Sequence, residues 1–292
     1  MAVGFDLCSD VNMTLQSSDD IIASVGNASH RLLSSNATFQ DGRRIGVLTV
    51  ILVTIYGVIC TAGLVGNCLV VYVVARYTRM KTVTNVYIMN LSVADGLFLV
   101  GLPMVMTTAV LRYWVFGSVM CKIYYILTCI NMFTGAFTLT LMSADRFVAV
   151  WYPIKSLKYR KPMFAGIEAA LTWILSMAVM FPIVLFADIV PQGPGSTFSS
   201  CVVLWPAAHA LTASRIYIIY TLIIGFLFPV TFISLFYGLL VCRLRANRHH
   251  IRAAEKRRRL QRRNVTGLVT IVIGVFFLCW LPYWSFQVSF IG

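Results

Sequence analysis

Charge is what this sequence is short of. Only 12% of its 292 residues are Asp, Glu, Lys or Arg, about half the ~25% usual in a soluble domain. Acids are scarcest, 10 against 24 basic residues, and there are 4 histidines. No nucleophile–base pair and no metal-ligand cluster stands out, and His249 and His250 sit together in a basic stretch. This argues against an enzyme and against a cofactor, an allosteric sodium ion apart. Eight cysteines are too dilute for a disulfide scaffold. Cys60, Cys68, Cys129, Cys242 and Cys279 lie in or at the ends of apolar runs and are expected to pack as small buried hydrophobes. No cleavable signal peptide is evident, because the first 45 residues are polar without an apolar core. A transporter or channel would need paired intramembrane charges or an inverted repeat; Asp95, Glu168 and Asp145 are the only acids in apolar runs, and no repeat is evident.

Apolar residues are abundant, at 59%, too many to hide inside a water-soluble domain of this size. Crossing a bilayer takes roughly 20 residues at about 1.5 Å rise. Stretches of that kind recur six times, near 45–76, 84–111, 117–150, 164–187, 213–244 and 260–291. The expected fold is therefore all-α, a polytopic transmembrane helix bundle. Pro103, Pro182, Pro229 and Pro282 fall inside spans, where neighbouring helices can satisfy the carbonyls that they free. The net charge of +14 is not spread as in a nucleic-acid reader. Arg76, Arg79 and Lys81 follow the first span; Lys155, Lys158, Arg160 and Lys161 follow the third; a dense run from Arg243 to Arg263 follows the fifth. The positive-inside rule makes these links cytoplasmic and the N-terminus extracellular. Residues 1–44 read as an extracellular glycosylated tail, with acceptors Asn12, Asn27 and Asn36, and 45–292 as the bundle. Asn90 and Asn264 match the same sequon but lie in a helix or facing the cytoplasm, which shows how easily the pattern arises by chance.

Some groups are too polar for their depth. Asp95 lies mid-span, where a carboxylate costs about 2.5–3.5 kcal/mol or more. Asn67 and Asn131 could face it, either as a functional cluster or as polar glue between helices. Asp145-Arg146 closes the third span, and charge alone reads it as an interfacial ion pair. Cys121 opens that span and Cys201 lies in the longest outer link. They are two unrelated thiols or a bridge tying the link over the bundle; the bridge is expected, since only Cys8 otherwise lies outside the lipid.

These residues resemble a known family. Gly66-Asn67, Leu91-Ser92-Val93-Ala94-Asp95, Trp114-Val115-Phe116-Gly117, Ser143-Ala144-Asp145-Arg146-Phe147, Trp173, Pro229 with Tyr237, and Cys279-Trp280-Leu281-Pro282 resemble, in order, the signatures of rhodopsin-like (class A) G-protein-coupled receptors. The resemblance runs from about Gly66 to the end and implies six of the seven receptor helices, with a seventh carrying an Asn-Pro-x-x-Tyr-like motif expected to follow. Lys81–Asn85, Asn131–Thr134, Leu185–Asp188 and Cys201–Pro206 are similar to somatostatin and arthropod allatostatin-C receptors, and in part to opioid receptors. Thr128 stands where somatostatin and opioid receptors carry an aspartate that pairs with a ligand cation.

The resemblance implies a plasma-membrane receptor that couples an extracellular neuropeptide to a heterotrimeric G protein, of the inhibitory class. An opioid- or galanin-like peptide receptor and a non-signalling truncated form are the alternatives. It implies ligand contacts from Thr128, Met132, Tyr283 and Gln287, with Asp188 meeting a basic group at the mouth. Arg146 is to be held by Asp145 at rest and released to the G protein. Trp280 and Pro282 form the lever, and Tyr237 holds the active form. Arg262 stands where relatives often place an acid to clasp Arg146, leaving Thr266 as a weaker acceptor, so basal activity is expected. Asp95 and Asn131 resemble the family's sodium pocket, although Gly135 replaces a serine hydroxyl there.

Overall fold

In the computed structural model, residues 34–77, 82–193, 195–206, 210–246, 271 and 274–289 are described. They form helix α1 (Ser34–Arg76), α2 (Val83–Leu111), α3 (Gly117–Trp151), a short α4 (Pro153–Tyr159), α5 (Pro162–Phe186), strands β1 (Ala187–Pro191) and β2 (Ser199–Val203), α6 (Ala210–Leu222), a π-helical turn (Ile223–Leu227), α7 (Phe228–Ala246) and a helix over 274–289, here α8. Five described helices are long and apolar enough to cross a membrane: Thr49–Arg76, Val83–Leu111, Gly117–Trp151, Pro162–Phe186 and Ala210–Leu240. Of the sixth expected span, 260–291, only 271 and 274–289 are described, and these are helical. The first helix begins at Ser34 rather than near 45, so the Asn36 acceptor falls on α1; Asn12, Asn27, Arg262 and Thr266 lie outside the described residues.

Local sequence explains the breaks. Thr82 caps α2 by accepting the Asn85 N–H at 3.3 Å. The helix stops at Arg112, which adopts the left-handed conformation (φ 67°). That strained cap is pinned from three sides. Its N–H donates to Thr108 O at 2.7 Å, its carbonyl accepts from Gln192 Nε2 at 2.9 Å, and its Nη2 donates to Thr49 Oγ1 at 3.2 Å. Pro103 has no N–H, which frees the Leu99 carbonyl one turn earlier. The Cys60 thiol from α1 donates to that carbonyl at 3.3 Å. Pro229 acts likewise on Gly225, and the chain there widens to the π pattern, with the Phe228 N–H reaching back to Ile223 O.

The central helix is α3, the most buried of the spans, and α1 is the least. Around α3 pack α2, α5 and the α6–α7 rod, while β1 lies on its first turns. The antiparallel β1–β2 hairpin pairs Ile189 with Cys201, and Cys201 is bridged to Cys121 of α3 with Cα atoms 5.6 Å apart. The expected bridge is present. Of the free thiols, Cys60 and Cys129 are buried as expected, but Cys68 and Cys242 are exposed on outer helix faces. A thiol is apolar enough for lipid, so an apolar run does not decide which face it takes.

Candidate functional site

Two ends of the bundle carry the singled-out residues. At the hairpin end, α3 presents Thr128 and Met132 one turn apart, both buried. The Thr128 hydroxyl donates to the Tyr124 carbonyl at 2.9 Å, bonding back onto its own helix. Met132 and Phe133 lie against Gly225, where an added Cβ would come within 3.7 Å of Met132 Cε and 3.0 Å of Phe133 Cε1. The glycine is what lets the π turn approach α3 so closely. From α8, Tyr283 stands edge-on to Trp280 (5.7 Å) and Trp284 (5.0 Å), Gln287 is half-buried one turn further, and Pro282 is on the exposed face. Phe226 joins the cluster, 6.4 Å from Phe276 and 6.2 Å from Trp284.

Sequence reasoning missed Tyr217. Its ring packs on Trp205 at 5.3 Å, and Trp205 on Phe186 at 5.5 Å. Its hydroxyl is buried, close to Cys129 and Tyr283, without a hydrogen-bond partner among the described residues. Thus α3, α6 and α8 converge on one aromatic region beside the hairpin. A tyrosine in an otherwise apolar run was the available signal.

Asp188 is engaged through one carboxylate oxygen. Its Oδ1 accepts from the Ser118 hydroxyl at 2.5 Å and from the Ile189 N–H at 2.8 Å. These bonds, with Lys122 nearby, hold its carboxyl below the ordinary value. Through Oδ1 the carboxylate fastens the start of the hairpin to the first turn of α3.

Mid-bundle, Asn131 Nδ2 donates to Asp95 Oδ1 at 2.7 Å. Asn67 does not join them; its amide donates to Gly63 O of its own helix at 2.9 Å. The oxygens this cluster could offer a cation are those of the Asp95 carboxylate and the Asn131 amide, and Gly135 supplies no hydroxyl. Hard oxygen donors suit such a cation. No group of three His, Cys, Asp or Glu residues is gathered among the described residues. A second polar seam joins α2, α3 and α5. Trp173 Nε1 donates to Asn90 Oδ1 at 2.7 Å, and Asn90 Nδ2 donates to Thr138 Oγ1 at 2.8 Å and, more loosely, to Thr172 Oγ1 at 3.5 Å.

At the opposite end, Asp145 does not principally hold Arg146. Its carboxylate takes a two-pronged contact from Arg160, the residue that caps α4, with Nε to Oδ1 at 2.6 Å and Nη2 to Oδ2 at 2.9 Å. Arg146 Nη2 approaches Oδ2 only to 3.7 Å. The Tyr87 hydroxyl donates to Glu168 beside this pair. Phe147 packs on Trp151 (5.3 Å) and Phe236 (5.5 Å), and the Arg243 guanidinium lies 5.3 Å over Trp151.

A helical bundle crossing a membrane, a disulfide-tied hairpin over one end and an Asp-Arg pair at the other define a polytopic membrane receptor. Residues 66–291 match the family model for the 7 transmembrane receptor (rhodopsin family), and the chain belongs to that family, one of receptors rather than enzymes. It is similar to somatostatin receptor type 2 of Sus scrofa, with 39% identity over 99% of this chain and 75% of the relative. Somatostatin receptor type 4 of Rattus norvegicus is 42% identical over 80% of the chain and 59% of the relative. Type 5 of Bos taurus is 43% identical over 82% and 62%. The chain thus spans less than two thirds of the length of the latter two.

Proposed function

We propose that the hairpin end faces the cell exterior at the plasma membrane and binds a neuropeptide, and that the Asp145–Arg146 end engages a heterotrimeric G protein of the inhibitory class. The relatives, all named as somatostatin receptors, support a peptide ligand. One observation refines it: Thr128 is uncharged and buried, and its hydroxyl is turned onto Tyr124 O. Such a pocket favours aromatic and amide contacts over a ligand ammonium. This supports an allatostatin-C-type peptide rather than somatostatin, an opioid or an amine. Arg146, Tyr237, Trp280 and Pro282 relay the shift between resting and active forms. Asp95 and Asn131 hold a sodium ion that favours the resting form.

The test is pertussis-toxin-sensitive suppression of cyclic AMP in cells that express the receptor, with allatostatin-C-type peptides set against somatostatin. Potency should favour the former by tenfold or more, about the 1.4 kcal/mol that separates affinities tenfold apart. Gln287→Ala should lower it. Equal or better response to somatostatin would sink the refinement. Agonist affinity indifferent to replacing sodium by a bulky organic cation would remove the ion.

A further inference from the structure

Asp145 stands between two arginines, and the geometry is unequal. Arg160 uses both carboxylate oxygens, at 2.6 and 2.9 Å, in the planar fork that makes arginine–carboxylate pairs strong. Arg146 is left with one contact at 3.7 Å, and its Nε is buried with no hydrogen-bond partner among the described residues. The Asp145 side chain is only 6% exposed and that of Arg160 28%. Among the described residues, the other charged or titratable groups that face this cluster are Tyr87 of α2, Glu168 of α5 and Tyr237 of α7. A largely buried carboxylate that loses its main partner is costly and turns to the nearest cation, which here is Arg146.

We infer that Arg160 is a positioning residue that competes with Arg146 for Asp145 and thereby raises the agonist-free coupling of the receptor. It touches neither ligand nor, by this argument, G protein; it acts by keeping Asp145 occupied so that Arg146 is weakly held. The inference rests on the proposed role of Arg146 in meeting the G protein. It carries a sign that adjacent placement of Asp145 and Arg146 in sequence would not suggest. Removing a loop cation should quieten the receptor, not awaken it.

The experiment is a double-mutant cycle of Arg160→Gln and Asp145→Asn. It is read as agonist-independent nucleotide exchange on the G protein in membranes, normalised to surface receptor. Arg160→Gln should lower basal exchange about fivefold, the low end of ordinary coupling factors, while the maximal agonist response is kept. Arg160→Lys, which offers a point charge instead of a fork, should fall between. Asp145→Asn should raise basal exchange, and in that background Arg160→Gln should change nothing. A rise with Arg160→Gln alone, no change, or an equal drop in both backgrounds overturns the inference. If neither the unaltered receptor nor Asp145→Asn drives exchange with or without peptide, the proposed coupling fails instead. The pair is then read from apparent melting temperature, which Arg160→Gln should lower only where Asp145 is present; equal lowering in both backgrounds overturns the pair itself.

Discussion

Replacing Asn90 by Ala should cost the bundle measurable stability. The side chain is buried between three helices and holds two short bonds, from Trp173 Nε1 at 2.7 Å and to Thr138 Oγ1 at 2.8 Å. The contact with Thr172 at 3.5 Å is at the limit of a hydrogen bond and counts for little. Interhelical hydrogen bonds in bilayers average about 0.6 kcal/mol and reach about 1.7, so two of good geometry contribute about 1–3 kcal/mol. The Thr172 hydroxyl retains its bond to Ala169 O at 2.7 Å, but among the described residues the indole N–H donates only to Asn90. Leaving it buried and unmet adds about 1 kcal/mol or more. With about 2–4 °C of melting temperature per kcal/mol for a chain of this size, the resulting loss of about 2–4 kcal/mol means that Asn90→Ala should lower the apparent melting temperature by about 4–16 °C. The assay is thermal unfolding in detergent followed by a thiol-reactive dye, which the buried Cys60 and Cys129 report as they become accessible. Trp173→Phe should cost less than Asn90→Ala, and the double variant should cost less than the sum. A shift under 1 °C, or strict additivity, would refute a coupled seam.

The Leu99 carbonyl freed by Pro103 predicts that Cys60→Ser, which keeps a donor, lowers the melting temperature less than Cys60→Val; the opposite order would show that the thiol only fills space. Gly225→Val should displace Phe133, which is wholly buried and cannot easily give way, so about 1–3 kcal/mol is lost to overpacking and thermal stability falls, whereas Phe133→Leu in the same chain restores part of it. Asp188 has a folded-state value held below the ordinary one, chiefly by Ser118. Its contribution to hairpin stability is therefore complete above about pH 4 and is lost only as the pH falls through the folded value. Hydrogen exchange of the hairpin should be flat, after correction for intrinsic rate, from pH 8 to 5. An inflection in that range that Asp188→Asn abolishes would contradict the assignment.

The spans were legible because the bilayer imposes one length on every apolar helix, and a run such as 84–111 satisfies it without ambiguity. The Asp95–Asn131 bond was legible too, since two polar groups at one depth in lipid have few partners other than each other. Asn67, at similar depth, shows the limit. It found the Gly63 carbonyl one turn back on its own helix, an option open to any asparagine in a helix and invisible until the facing helix is placed. Asn90 shows the converse. As part of Asn90-Leu91-Ser92 it looked like a chance sequon, and its three partners come from α3 and α5, far along the chain.

The Asp145–Arg146 pair fails for a different reason. Neighbours in sequence invite pairing, yet residues i and i+1 on a helix point about 100° apart and do not face each other. A close two-pronged contact between them would require both side chains to bend around the same turn. Arg160 has no such constraint. The chain leaves α3 at Trp151, turns through Pro153 into the short α4, and returns a guanidinium to the helix end from outside, where it meets the carboxylate squarely. The sequence lists Arg160 among four basic residues of one link, a pattern that reads only as membrane topology. Which of those four reaches Asp145 depends on the length of α4 and on its ending at Arg160. The same charge is therefore a topology signal in the sequence and a competitor for a buried carboxylate in the fold.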